Sequence, residues 1–339
     1  MIPNQWYAIL ESGEIKKGKI IGVTRMGEKM VAWRNAKGEL AVMSDQCPHR
    51  GVAFSVGKLT DDCIQCPFHG FEYDTNGVCK RVPANGSGAE PPKALHAHSY
   101  PVREEHGFVY IWWGEPQREY PPAPWFESIP ETMVYATLKD HWACHYARAI
   151  ENQLDVVHLP FIHHNTIGRG NRALVNGPVT KEESHWDGDH LINLWVYNEL
   201  DNGQKPKKPS EMPEPTRRPF LQFRFGNVWH NWIAEDLRVV VAFAPIDNEN
   251  TLMYLRYYHT MRTPVLRQIV GWVGCLANLV IERQDRRVVI TQRPHRPDLD
   301  IGEIMIQGDL PIMVYRKRRK ALIENKGIVA KPAPDNLIT

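Results

Sequence analysis

From Trp6 to Trp113 the apolar positions fall into short β-branched or aromatic runs, at 29–33, 40–43, 71–73 and 108–113, each broken by turn residues. Such runs predict an all-β half built of short strands. Turns are expected at 35–38, closed by Gly38, at 75–77, which carries Asn76-Gly77, and at His106-Gly107. Residues 115–131 then hold five prolines, which neither donate to a ladder nor continue a helix. The expected division is a domain over 1–115, a Pro-rich linker over 116–132 and a second domain over 133–339.

Beyond the linker the period changes. Residues 141–159 lack Pro and Gly and carry Ala143, Ala147, Ala149 and Leu154, so they predict a helix stopped near Pro160. Strand-like runs follow at 191–200, 220–232, 238–244 and 252–260, the content of an antiparallel sheet. Residues 264–290 are apolar on more than one face and include Gly271 and Gly274, which predicts a mostly buried helix with a kink. The stretch 201–219, with five prolines and five Lys or Arg, reads as a mobile surface loop, and the 316–320 basic run as a solvated helix end. The fold class expected is α+β.

Composition narrows the function classes. The 339 residues carry 41 Lys and Arg against 39 Asp and Glu, a net charge of +2, with 24% charged and 42% hydrophobic residues. Disorder and a nucleic-acid-scale positive field are both disfavoured. The start MIPNQWYAIL has no basic segment and no small-residue cleavage site, so a cytoplasmic location is expected. The longest apolar run, 269–281, includes Asn278 and falls short of the roughly 18 residues of a spanning helix, so no membrane span is expected.

Six cysteines stand at 47, 63, 66, 79, 144 and 275. Cys47-Pro48-His49-Arg50-Gly51 and Cys66-Pro67-Phe68-His69-Gly70 each offer one thiolate and one imidazole in a Cys-Pro-His-Gly frame. Two thiolates can hold one iron of a [2Fe–2S] cluster and two neutral imidazoles the other. A Cys2His2 zinc site, with Cys63 and Cys66 as a C-x2-C pair, is the competing use of the same residues. It does not require the duplicated frame, and Cys63 and Cys79 are then packing residues or neighbours of the cluster.

A second constellation is Asn152, Asp155, His158 and His163, an N-x2-D-x2-H-x4-H pattern. On a helix Asn152, Asp155 and His158 share one stripe. His163 is out of step with His158 on a continuous helix, but Pro160 is expected to end that helix and let the chain fold back. Two imidazoles and a carboxylate on one face leave coordination positions open at Fe(II). Asp285, an acid at the polar end of the late apolar helix, is the candidate carboxylate, and Glu282, one turn earlier, competes on residue chemistry alone. His164, and the i, i+4 pair His141 and His145, are rival ligands by spacing. Phe223, Phe225, Asn227, Trp229 and Asn231 alternate in one run that could line a pocket or simply fill a sheet core.

The two motifs together resemble the oxygenase component of Rieske non-haem iron oxygenases, in the monooxygenase and O-demethylase branch that includes vanillate and dicamba demethylases. The resemblance implies an all-β Rieske domain followed by a helix-grip domain with a curved antiparallel sheet. It implies that Cys47, His49, Cys66 and His69 hold the cluster and that His158, His163 and Asp285 hold the iron. In that family an aspartate at the place of Asp155 bridges a cluster histidine of one subunit and an iron-ligand histidine of the next, which implies a closed homotrimer. Electrons would pass by way of His69 and Asp155 to His158. Gln284 stands before Asp285 where some relatives have an acid. With no GxGxxG and no C-x4-C-x2-C run in the chain, a reductase drawing on NAD(P)H, with or without a ferredoxin, is the implied partner. The implied reaction is O2-dependent hydroxylation or demethylation of a small cyclic or aromatic molecule, and the alternative is a Rieske-type electron carrier or redox sensor without turnover.

Overall fold

The computed structural model describes residues 1–168, 174–183 and 189–327. The chain divides into two compact units, one formed by Trp6–Ala123 with Pro245–Asp247, the other by Met1–Gln5, Pro124–Ala244 and the residues from Asn248 on.

The first unit carries strands β1 (Gln5–Glu11), β2 (Ile20–Arg25), β3 (Glu28–Arg34), β4 (Leu40–Ser44), β5 (Lys58–Thr60) and β6 (Cys63–Gln65). Strands β7 (Glu72–Tyr73), β8 (Cys79–Arg81), β9 (Ser99–Tyr100), β10 (Val102–Glu105) and β11 (Phe108–Trp113) complete it. They form three small sheets, in the orders β1-β11-β10, β2-β3-β4-β9 and β5-β6-β7-β8. The predicted turns are where the chain reverses. Gly38, at φ +90°, donates its N–H to the Asn35 carbonyl at 3.0 Å between β3 and β4. His106 (φ +53°) and Gly107 (φ +76°) form the two-residue turn between the paired Glu105 and Phe108, a geometry that matches the twist of the flanking strands. Val31, Trp33, Phe54, Ile64 and Tyr73 make one buried cluster with Cys47 and Cys66, so the motif loops are anchored in the core.

The second unit is a seven-stranded sheet with helices. Its strands are β12 (Val134–Trp142), β13 (Leu174–Glu183), β14 (Leu191–Leu200), β15 (Leu221–Arg224), β16 (Val228–Ala234), β17 (Leu237–Pro245) and β18 (Thr251–His259). The order is β12-β18-β17-β16-β15-β14-β13, and β12 with β18, β13 with β14, β14 with β15, β15 with β16 and β16 with β17 pair antiparallel. The helices are α1 (Tyr146–Leu154), α2 (Leu159–Ile162), α3 (Pro264–Val289) and α4 (Leu310–Glu324).

Several local expectations are corrected. The helix predicted over 141–159 begins only at Tyr146, because His141 and Trp142 extend β12, which pairs with β18 along its whole length. His145 caps α1 by accepting the Ala147 N–H on Nδ1 at 3.2 Å. The run 220–232 is two strands, since the chain turns back at Gly226, φ +86°. The 316–320 run is not a solvated end: Arg316 and Arg319 are buried, and Arg316 forks onto Glu151 at 2.7 and 2.8 Å.

Helix α3 differs most from expectation. Its narrow buried face contains Gly271, Gly274, Cys275, Glu282, Asp285 and Val289. A Cβ on Gly271 would stand 2.9 Å from the Ala136 Cβ and one on Gly274 2.3 Å from the Tyr257 ring, so the two glycines let α3 close on β12 and β18. The other face is exposed and apolar, with Val265, Leu266, Ile269, Trp272, Val273, Leu276 and Val280 open to solvent. By length and composition α3 would suffice to cross a membrane, and only 17% of its most apolar window is buried.

Candidate metal centres

The two Cys-Pro-His-Gly loops have the same backbone construction. In one, the Cys47 N–H donates to Val52 O and the Gly51 N–H to Cys47 O, both at 2.8 Å. In the other, the Cys66 N–H donates to Phe71 O at 2.8 Å and the Gly70 N–H to Cys66 O at 3.1 Å. Gly51 and Gly70 both sit at φ +73°, a conformation that a Cβ would strain. The loops bring the His49 and His69 rings to 4.7 Å between centroids, while both thiols are buried at 2% exposure. Burial and then the neighbouring Cys47 push the Cys66 thiol up. Two buried thiols beside two imidazoles fit a cationic cluster that takes the thiols as thiolates. Tyr73 OH lies 3.6 Å from Cys47 Sγ. Cys79 is buried and Cys63 half-buried, neither is in a disulfide, and the Cys79 thiol donates to Arg81 O at 3.5 Å.

The second site gathers at α1, α2 and α3. His158 Nε2 lies 3.4 Å and His163 Nε2 3.0 Å from Asp285 Oδ1, and one ligand atom from each residue falls within 4.8 Å of the others. The local route differs from the expected single helix stripe. Helix α1 ends at Leu154 because the Asp155 carboxylate takes the N–H of Val157 at 2.7 Å and of His158 at 3.3 Å, a turn that competes with helix. Pro160 does not end a helix but sits in the first turn of α2, whose flanking residues are His158 and His163. One helical turn therefore sets the two imidazoles 5.2 Å apart, centroid to centroid.

The electrostatics separate the two acids of α3. Burial alone would raise the Asp285 carboxyl, but His158 and His163 hold it below its usual range. Glu282 is buried, and burial together with Asp285 and Asp140 pushes it well above the usual range against a smaller opposing pull from His158. Its Oε2 accepts from Gln153 Nε2 at 3.3 Å. The two acids of α3 are thus pushed in opposite directions, Glu282 up and Asp285 down. Burial would lower the His158 imidazole, but the carboxylates of Asp155 and then Asp285 raise it to about 9. The buried Asp285 Oδ1 and His158 Nδ1 have no hydrogen-bond partner. Donors that converge without bonding one another, on a locus that favours positive charge, fit a divalent cation.

His163 Nδ1 lies 2.8 Å from Gln284 Oε1. No sequence pattern singled out that contact, although Gln284 adjoins Asp285. The rival histidines are elsewhere: His164 is exposed with Nδ1 on the Phe161 carbonyl at 2.9 Å, His141 lies 3.0 Å from Asn250 Oδ1, and His145 caps α1. A cavity of about 270 Å³ opens on the triad. Of the run expected to line a pocket, Trp229 and Asn231 do so. Phe223 and Phe225 instead pack on Tyr315 at 5.4 and 5.6 Å, and Asn227 donates to Phe243 O at 3.0 Å.

Comparison with known proteins agrees with this construction. Residues 5–101 match the Rieske [2Fe-2S] domain and residues 142–325, more than half of the chain, match the vanillate O-demethylase oxygenase C-terminal domain. The chain is 29% identical over 202 residues to the toluene-4-sulfonate monooxygenase system iron-sulfur subunit TsaM1 of Comamonas testosteroni, covering 58% of this chain and 56% of the relative. It is 32% identical over 190 residues to the cholesterol 7-desaturase nvd of Drosophila melanogaster, covering 54% and 43%. The match thus spans about half the length of these curated relatives. Among solved structures, NdmA of Pseudomonas putida CBB5 superposes with a TM-score of 0.73 at 18% identity over 99% of this chain and 98% of that one. Dicamba monooxygenase bound to dicamba gives 0.69 at 20% identity over 96% and 98%. With a Rieske domain leading into that C-terminal domain, the chain belongs to the Rieske oxygenases, in their monooxygenase and demethylase branch.

Proposed function

We propose that this protein is a terminal oxygenase component that uses O2 and electrons from a partner reductase to hydroxylate or oxidatively demethylate a small cyclic or aromatic molecule. The observation that carries the reading is the convergence of His158, His163 and Asp285 at the wall of a cavity in a chain with a Rieske domain. Toluene-4-sulfonate monooxygenase and dicamba monooxygenase among its relatives are named for reactions of this class.

In this reading Cys47, His49, Cys66 and His69 hold a [2Fe–2S] cluster, and His158, His163 and Asp285 hold a mononuclear Fe(II). The iron, when bound, supplies reductive activation of dioxygen. The chain's own residues do the rest. Gln284 accepts the Nδ1 proton of His163 and so leaves Nε2 as the donor facing Asp285. Asp155 holds the 156–158 turn by its Oδ1 and approaches His158 Nδ1 to 3.5 Å with Oδ2, which makes it the residue through which His158 communicates with a cluster. Asn152, on the last turn of α1, lines the cavity beside it. Val156, Leu159, Ile167 and Ile281 give the cavity an apolar wall.

The assembly we propose is a homotrimer, fed by a reductase, with or without a ferredoxin, that draws on NAD(P)H. The exposed apolar face of α3 supports an assembly that covers it, since monomers rarely leave such a patch open. Six free cysteines suit a reducing cytoplasm.

The test is iron and acid-labile sulfide per chain in anaerobically purified protein, followed by oxygen uptake with a surrogate reductase. About three irons and two sulfides are expected. About two irons with two sulfides would move the chain to an electron carrier, and zinc without sulfide would end the reading.

A further inference from the structure

The triad cavity has an unusual polar equipment. Asn231 stands on β16 opposite Leu221 of β15 and Val239 of β17, so these three side chains leave one face of the sheet, with Trp229 and Ile233 two residues away on the same face. All five line the cavity. Apart from those of the metal-ligand residues His158 and Asp285, three buried atoms of lining residues have no partner among the described residues: Trp229 Nε1, Asn231 Oδ1 and, from α1, Asn152 Nδ2. Trp229 is only 4% exposed, so its N–H has no access to bulk water. Buried polar atoms are almost always paired, and three orphans at one cavity ask for a ligand that pairs them. Indole N–H only donates, and an amide offers a donor and an acceptor whichever way it is turned.

Asp155 and Asp285 line the cavity together with His158 and His163, the imidazoles of the proposed iron site, and among the described residues neither Lys nor Arg does. The charge of the iron proposed here is matched by Asp285 and Asp155, which leaves an incoming anion desolvated without a counter-charge. Arg217 and Arg218 line a second cavity, of about 570 Å³, which shares Val156, Leu159, Ile167 and Phe220 with the first. Both are engaged there. Arg217 donates to Val196 O at 2.5 Å and covers the Tyr197 ring, while Arg218 lies 3.7 Å from Glu235 and 4.4 Å over the Trp232 ring. A cavity of about 150 Å³ admits benzene, so about 270 Å³ suits one substituted ring.

We propose that the triad cavity takes an uncharged one-ring substrate bearing both a hydrogen-bond donor and an acceptor, as an amide or lactam does, read by Asn231, Trp229 and Asn152, and that it rejects carboxylates and sulfonates. The proposal rests on the oxygenase reading for its chemistry, but its test is binding and needs no turnover. Three probes of one shape, 4-methoxybenzamide, 4-methoxybenzoate and 4-methylanisole, are titrated calorimetrically into the iron-loaded protein. The amide is expected to bind at least tenfold more tightly than the other two. Asn231→Leu should erase the amide's preference over 4-methylanisole. Trp229→Phe serves the same purpose should Asn231→Leu fail to show an intact Rieske absorption spectrum. The carboxylate or the anisole binding as tightly as the amide, or none of the three binding, would overturn the proposal. Failure of the oxygenase reading would show separately, in the iron-to-sulfide ratio.

Discussion

Gln284 Oε1 lies 2.8 Å from His163 Nδ1, and the next residue on α3, Asp285, places Oδ1 3.0 Å from the opposite nitrogen of the same ring. Two successive residues thus grip one imidazole from both sides. The amide is itself oriented, since its Nε2 donates to Asn165 Oδ1 at 3.3 Å. Gln284→Leu is expected to free the ring and weaken iron binding by about 10- to 100-fold, the usual cost of losing such a support. Gln284→Glu should restore most of it. Iron retention against a chelator series measures both, and an unchanged affinity in Gln284→Leu would remove the orienting role.

Asp285 and Glu282 are one helical turn apart, yet only Asp285 converges with the two imidazoles, and its carboxyl is held low while that of Glu282 is pushed up. Asp285→Ala is expected to lower the iron content from about three to about two per chain, with sulfide unchanged, and to abolish turnover. Glu282→Gln should keep all the iron. The reverse pattern would exchange the two acids.

Asp155→Asn preserves the Oδ1 acceptor that holds the 156–158 turn but removes the charge that faces His158 at 3.5 Å. Product formation should fall on the order of 100-fold while the cluster stays reducible by dithionite. Normal turnover in this variant would exclude Asp155 from communication between the two metal sites.

The limits of the sequence are visible at particular residues. The cluster loops were readable because Cys, Pro, His and Gly each serve a local need, and so were the turns at Gly38 and His106-Gly107, where backbone conformation is set by the residue itself. The stripe of Asn152, Asp155 and His158 was drawn on one helix, and it failed because the Asp155 side chain bonds backbone N–H groups that the helix would have used. Spacing alone does not reveal that competition. The predicted helix takes in His141 and Trp142, the end of β12, since Ala143 and Ala147 weigh toward helix, whereas pairing with β18 is a long-range contact with no local mark. The α3 glycines suggested a kink, while their surroundings show close approach to Ala136 and Tyr257, partners more than 14 residues away in sequence that no periodicity identifies.

The buried fork of Arg316 on Glu151, extended by Arg316 to Glu303 at 2.6 Å and Arg148 to Glu303 at 2.7 Å, ties α1 to α4. Removing Arg316 leaves the buried Glu151 with only Arg148 Nη1, at 3.2 Å, to offset its charge. Arg316→Ala is expected to cost about 3–5 kcal/mol, and adding Glu151→Gln should recover part of it. Urea midpoints of the single and double variants give the comparison, and additive losses would mean that the pair is not coupled.

Burial pushes the His145 imidazole down to about 3, with Arg319 adding to it, and that of His230 to about 3, with Arg238 adding. In the unfolded chain both take up a proton near 6.5. Because the folded values are the lower ones, the stabilising contribution is complete above pH 6.5 and is lost progressively as the pH falls toward 3. At pH 5 each histidine should cost about 2 kcal/mol relative to pH 7. His145 has a second reason to stay neutral, since Nδ1 must keep its lone pair to accept the Ala147 N–H. His145→Asn keeps a capping acceptor without a titrating proton, so its urea midpoint should fall less steeply between pH 7 and pH 5 than that of the unaltered protein. Equal slopes would mean that His145 takes up its proton without opening the start of α1.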